Sequence, residues 1–213
     1  MRRCEQDGWF WATGFIKTRD EADADSPVKA LPDKPYLREI WTAFDKHQRI
    51  VVVKSRQLML SWLACAYCVW VARFKQNRAV YWQSQKREDA CGMVCLPDVE
   101  EGGFSARMQF IERSMPDWMR GTWQEKEGLL VCNESASMIQ ALAGGSNQIR
   151  GKTPSLLVED EFAFQEEAEG VYQAMAPLLQ KQTRFIAIST PNGPSNTFAT
   201  LVHGRPLLSG VPA

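Results

Sequence analysis

The stretch Arg49-Ile50-Val51-Val52-Val53-Lys54-Ser55-Arg56-Gln57-Leu58-Met59-Leu60-Ser61 decides how the rest of the chain reads. Its β-branched run, Ile50 to Val53, shows no polar alternation and predicts a strand buried on both faces, as in parallel sheets. Ser61 to Phe74 is mostly apolar and predicts a long helix. Between them lies a turn that opens with Lys54. A strand, a turn and a helix start are what a phosphate loop needs. Backbone N–H groups cradle the anion, a lysine balances its charge, and a Ser or Thr hydroxyl binds magnesium. Against the pattern G-x-x-x-x-G-K-[ST], Ser61 falls on the hydroxyl position. Lys54 stands at the first glycine, Met59 at the second and Leu60 at the lysine. From spacing alone, an ordinary strand–turn–helix with Ser61 as N-cap reads the same way.

Working outward, strands and helices alternate. Tyr36 to His47 has apolar residues at Leu37, Ile40, Trp41 and Phe44, which is helical spacing. Ala79–Trp82 predicts a second short buried strand, and Lys86–Val94 a helix. Phe104–Met119 predicts one or two helices interrupted at Pro116. Leu129–Cys132 and Ser137–Leu142 read as paired strands. A glycine-rich loop, 144–153, leads to the strand 155–160, then to a helix over 165–179 and a strand over 184–189. Residues 1–35 read as a short strand or hairpin and an exposed loop, given Pro27, Pro32 and Pro35. The whole pattern predicts an α/β fold with a mostly parallel central sheet flanked by helices. Such folds place ligands at the carboxyl ends of strands, here after residues 53, 159 and 188.

The second of these ends is Leu156-Leu157-Val158-Glu159-Asp160-Glu161. A buried strand ending in adjacent carboxylates suits a magnesium and water site: one acid supports the metal and the next polarises an attacking water. A solvated acidic cluster is the bland reading. The third is Phe185-Ile186-Ala187-Ile188-Ser189-Thr190-Pro191-Asn192-Gly193, which alone reads as a strand with an ordinary turn.

Composition sets limits. The 213 residues are 45% hydrophobic and 23% charged, an ordinary globular mix, and 25 basic residues balance 25 acidic ones. Zero net charge argues against strong non-specific nucleic-acid binding by the isolated chain, though a local basic patch is compatible with DNA contact. The longest apolar run, Trp62–Ala72, is about half of what a membrane span needs, and the start shows no secretion signal. A soluble, intracellular protein is expected. The six cysteines, Cys65-x-x-Cys68 included, read as buried free thiols rather than a zinc or redox site, since the only histidines are His47 and His203.

Taken together, the three strand ends resemble the ATPase domain of tailed-bacteriophage terminase large subunits. The order is a deviant phosphate loop, about 100 residues, an apolar strand ending in Asp160-Glu161, then Ser189-Thr190-Pro191. Pro35–Ile40, Lys54–Gln57 and Gly145–Gly151 resemble further segments of that family, and the likeness spans about residues 10–203. It implies a P-loop NTPase fold of the RecA/ASCE kind. It implies that ATP binds along Lys54, Ser55, Arg56, Gln57, Leu58, Met59, Leu60 and Ser61, with Tyr36 near the adenine and Ser189 and Thr190 coupling hydrolysis to movement. Lys54 would be the shifted phosphate-binding lysine, Arg56 the loop arginine, and Ser61 and Asp160 the holders of Mg2+. Glu161 would be the catalytic carboxylate. Arg150 would act on a neighbouring subunit's ATP, or else is a solvent-exposed loop cation.

The sequence departs from the family at Met59, where most members keep glycine, and at Leu60. Members also continue into a nuclease domain, for which the stretch after Ser189 is too short. The expected organisation is an N-terminal extension or lid over 1–35, an ATPase core over 36–205 and a flexible tail over 206–213, with the nuclease half absent. Expected partners are double-stranded DNA, portal protein, small terminase subunit and further copies in a ring, without a membrane. The expected place is the procapsid portal vertex in the host cytoplasm, not the mature virion. The competing expectations are a helicase-like nucleic-acid ATPase and a degenerate, non-catalytic nucleotide-binding fragment.

Overall fold

The structure, a computed structural model, describes residues 1–20, 23, 25–55, 58–97, 105–179 and 183–204. Arg56, Gln57 and the expected tail over 206–213 lie outside the described residues.

Helices α1 (Arg2–Gln6) and α2 (Gly8–Phe15) open the chain, followed by an antiparallel ribbon of β1 (Lys17–Arg19) and β2 (Val28–Ala30). The expectation of a hairpin over 1–35 therefore holds for the ribbon and fails for the aromatic patch, which is helical. Asp7 starts α2 by accepting a hydrogen bond from Phe10 N–H at 2.9 Å. Gly8 lets α2 approach its neighbours: a Cβ there would stand 2.6 Å from Trp41 and 2.7 Å from Trp70. Trp9, Trp11 and Ala12 are all buried. A helix covered on several sides carries no polar stripe, so its period is hidden in the sequence.

Next come α3 (Pro35–Lys46), β3 (Arg49–Val53), α4 (Leu60–Phe74), β4 (Ala79–Gln83), α5 (Arg87–Val94), α6 (Arg107–Ser114) and α7 (Asp117–Arg120). The chain then forms β5 (Trp123–Lys126), β6 (Leu129–Cys132), β7 (Ser137–Leu142), β8 (Leu156–Asp160), α8 (Ala168–Leu179), β9 (Arg184–Ser189) and α9 (Thr197–Val202).

Seven strands form one sheet in the order β3-β9-β8-β4-β7-β6-β5. The first five run parallel, and β6 and β5 extend the sheet antiparallel. One face is covered by α4 with the N-terminal helices and α6, and the other by α8 and α9, giving two cores on opposite sides. Helix α4 is the main pillar: its apolar run buries Leu60, Leu63, Ala64, Cys65, Cys68 and their neighbours almost completely. All six cysteines are free and buried, as the sequence suggested. Cys4, Trp11, Ile16 and Leu31 share the core built on α4, so the N-terminal segment packs as part of the same body.

β3 corrects one expectation. It is an edge strand on which only Val52 is buried, and Val53 is 48% exposed. A β-branched run marks a strand, but not its place in the sheet.

Candidate functional site

β3, β9 and β8 are side-by-side and parallel, so their carboxyl ends open on one place. The registers are matched: Val53 pairs with Ser189, and Asp160 with Ile188. Lys54, Glu161 and Thr190 therefore leave the sheet together. Lys54 N–H also donates to Ser189 O at 2.9 Å, tying the turn to β9.

The side chains converge accordingly. The Lys54 ammonium lies 3.0 Å from Glu161 Oε1 and 3.6 Å from Asp160 Oδ1, and it donates to Ser61 Oγ at 3.3 Å. Ser61 lies within the first turn of α4, and Met59 occupies the N-cap position without a side-chain cap. The bland reading of Ser61 as N-cap is thus replaced by a hydroxyl turned toward Lys54. The second Glu161 oxygen faces the third strand end. Ser189 Oγ lies 3.3 Å from Glu161 Oε2, Thr190 Oγ1 3.4 Å and Thr190 N 3.5 Å. Ser189, fully buried, also accepts from Ala163 N–H at 3.1 Å.

Burial pushes the Asp160 carboxyl above its ordinary value, against the pull of Lys54. The acid keeps a cation beside it because a nearly dry carboxylate needs one. Glu161 has a backbone φ of 48°, a left-handed conformation that is strained for a non-glycine residue. This kink swings its side chain off the strand axis and toward Lys54 and Thr190.

Met59 shares that backbone habit, with φ 59° and ψ 8°. The turn needs a left-handed residue here, which is the physical reason a glycine suits the position. The Met59 side chain is partly buried and packs against the core built on α4. Leu60 is 3% exposed and sits in that core, leaving only its backbone to face a ligand. Ser55 and Leu58 are exposed. Tyr36, at the start of α3, donates its phenol to Leu58 O at 3.3 Å, so it braces the turn.

Arg150 stands elsewhere. It lies on the α8 side of the sheet, lining an open groove of about 390 Å3 with Lys152 and Gln173. Lys54 and Asp160 meet on the α4 side.

Sequence reasoning grouped Glu159 with the two acids that follow it. Strand alternation separates them: Glu159 turns to the α8 side, where it is fully buried and accepts from Gln165 Nε2 at 2.8 Å. Period two was the available signal for Glu159. Gln165 had none, since a lone glutamine after a turn carries no pattern.

A hydroxyl and a carboxylate beside an ammonium form a polar cleft suited to a cation and a polyanion. Among the described residues no group of three or more His, Cys, Asp and Glu could hold a metal alone. A cation bound at Ser61 and Asp160 would take its other ligands from water and substrate oxygens, as Mg2+ commonly does. Lys54, itself a cation seated among these oxygens, shows that the donor set fits one.

No protein-family model and no curated protein sequence matches the chain. Solved structures do. The large terminase of bacteriophage HK97 superposes with a TM-score of 0.69 at 10% identity, over 93% of this chain and 40% of that one. The large terminase ATPase domain of Thermus phage P74-26 gives 0.57 at 16% identity, over 90% and 71% of the two chains. The large terminase of a thermophilic bacteriophage, solved in complex with ADP, gives 0.60 at 13% identity, over 79% and 41%. The chain thus spans well under half the length of the HK97 protein. Its mostly parallel sheet, flanked by helices, shares its fold with these bacteriophage large terminase structures.

Proposed function

We propose that this chain is the ATP-hydrolysing domain of a terminase large subunit that drives double-stranded DNA into a procapsid. The observation that carries this is the meeting of Lys54 with Ser61, Asp160 and Glu161 at the carboxyl ends of β3 and β8, which flank β9. The ADP bound by one structural neighbour supports a nucleotide here.

The residues divide the work. Lys54, on its flexible stem, exchanges its hold on Glu161 for the phosphate oxygens of ATP. Backbone N–H groups at the start of α4 face the same anion. Ser61 and Asp160 would hold Mg2+, which when bound neutralises charge on the β- and γ-phosphate oxygens. Glu161 orients the attacking water and accepts its proton as the new P–O bond forms and the bridging P–O bond to ADP breaks. Ser189 and Thr190 face the second Glu161 oxygen, fix its direction, and pass its movement to β9. The same reading assigns Arg56, which lies outside the described residues, to the γ-phosphate or to switching with nucleotide state, and it places Tyr36 near the base while Tyr36 braces Leu58.

Among the described residues no helix is long and apolar enough to cross a membrane. The proposed setting is a ring of copies at the portal vertex in the host cytoplasm, with portal protein and small terminase subunit as partners. Arg150, away from its own cleft, reaches the ATP of the adjoining copy. The residue spans follow the same reading: an extension over 1–35 and an ATPase core over 36–205.

The test is titration of the purified chain with a fluorescent ATP analogue in magnesium, with ADP as competitor. Saturable binding displaced by ADP is expected. Absence of binding favours a purely structural, non-catalytic remnant instead.

A further inference from the structure

The two faces of β8 hold different chemistry. Asp160 looks to Lys54, whereas Glu159 looks to the α8 side. There Gln165 Nε2 donates to Glu159 Oε2 at 2.8 Å and to Asp160 O at 3.1 Å. Gln165 closes the 3-10 turn that starts beside Glu161. The segment 161–167 is thereby fastened under β8.

A second set of bonds fastens the glycine-rich loop to the same region. Gln83, the register partner of Glu159 on β4, donates to Ala143 O at 2.5 Å and Gly145 O at 3.0 Å. Glu167 Oε2 accepts from Ser146 N at 3.0 Å and from Ser146 Oγ at 3.1 Å. Arg150 N–H donates to Ser146 O at 3.3 Å. The loop carrying Arg150 is therefore held over residues 143–146 by both β4 and the segment that begins with Glu161, and Arg150 is tied to that held stretch through Ser146.

This layer is only partly satisfied. The side-chain oxygens Gln83 Oε1, Glu159 Oε1 and Gln165 Oε1 are buried without a hydrogen-bond partner. A polar layer with spare acceptors can re-pair after a small shift. The segment it holds starts at a strained residue, Glu161, the kind of backbone that moves when its contacts change.

We propose that Glu167, aided by Gln83, is a positioning residue that joins the loop bearing Arg150 to the segment bearing Glu161, so that nucleotide bound at the cleft changes the position of residues 143–151. This rests on the nucleotide-site reading above. The ligand sensed is the triphosphate of an ATP-like nucleotide at Lys54 and Glu161. The output is the position of residues 143–151. Glu167 is exposed, so it does not serve as a core residue, and its acceptor oxygen is what the link needs.

The experiment is hydrogen–deuterium exchange on the full chain with and without magnesium and a non-hydrolysable ATP analogue. In the unmodified protein, binding is expected to change exchange across residues 143–151. Glu167→Ala is expected to keep the melting temperature and the Kd for the analogue, yet lose the nucleotide-dependent change in the loop. Glu167→Gln, which retains an acceptor for Ser146, is expected to restore it. Gln83→Met breaks the other fastening and is expected to weaken the response. A loop that ignores bound analogue in the unmodified protein overturns the proposal, as does a full response in Glu167→Ala. If the unmodified protein binds no analogue at all, the nucleotide-site reading falls, and this proposal with it.

Discussion

Lys54 and Glu161 form an ion pair 3.0 Å long in which the lysine is mostly shielded and the glutamate is 42% exposed. Asp160 lies on the same ammonium at 3.6 Å and is almost buried. One cation thus serves two acids of different character. The pair to Asp160 is the structural one, because a buried carboxylate without a partner is strongly destabilising. The pair to Glu161 reaches solvent and is weak enough to be exchanged. A triphosphate entering the cleft offers the lysine more negative charge than Glu161 does, and releases that carboxylate for chemistry.

Lys54→Ala is expected to weaken binding of an ATP analogue by at least about tenfold, the scale of a charged hydrogen bond. It also leaves Asp160 without its cation, so the free protein should melt lower. Lys54→Arg keeps the charge but not the compact ammonium, and a result close to Lys54→Ala is expected for turnover. Titration and calorimetry read both. Unchanged affinity in Lys54→Ala would remove the lysine from the phosphate site.

Met59 tests the turn itself. Its left-handed backbone is strained for any side chain, and more so for a β-branched one. Met59→Val is expected to lower stability by about 1–2 kcal/mol. Met59→Gly removes the strain but also a partly buried side chain, so it should fall well short of the valine variant's loss. Denaturant unfolding distinguishes them, and a valine variant as stable as the glycine one contradicts the strain argument.

Ser189 is wholly buried and accepts from Ala163 N–H at 3.1 Å while facing Glu161. Ser189→Ala leaves that N–H unpaired, with an expected loss of about 1–3 kcal/mol in unfolding free energy. Thr190→Val, nearer the opening, should alter stability less and turnover more. If Ser189→Ala matches the unmodified protein in denaturant, the bond to Ala163 contributes nothing.

Away from the cleft, Glu112 gives a pH signature. It is fully buried on α6 and takes two bonds from Arg120, at 2.8 and 3.1 Å. Burial nonetheless pushes its carboxyl from 4.5 up to about 7. The folded state then binds this proton more tightly than the unfolded chain does. Its contribution is full below the unfolded value and is lost as pH rises through the folded one. The melting-temperature advantage of the unmodified protein over Glu112→Gln should therefore shrink between about pH 5 and about pH 8. An advantage that grows over that range contradicts the assignment.

Much of this was legible in the residues. The amphipathic spacing of α3, the apolar length of α4 and the alternation of strands with helices follow from side-chain period and burial. So did the meeting of Lys54 with Asp160 and Glu161, because parallel strands of one sheet open their carboxyl ends on the same side, here with β9 between β3 and β8. The helical state of Trp9–Phe15 was hidden by burial of several sides at once. The edge position of β3 was hidden too, since pairing order depends on contacts distant in sequence. β5 escaped because Trp123–Lys126 is short and half exposed. Gln165 and Gln83 join the site's surroundings through hydrogen bonds from their side-chain amides to backbone carbonyls and to Glu159, which leave no mark on spacing.

The most direct measurement is steady-state phosphate release from ATP by the purified chain in magnesium, beside Glu161→Gln. The account predicts measurable turnover in the unmodified protein and at least about a 100-fold loss in the variant, with ATP still bound. Equal turnover in the two proteins would contradict the role given to Glu161.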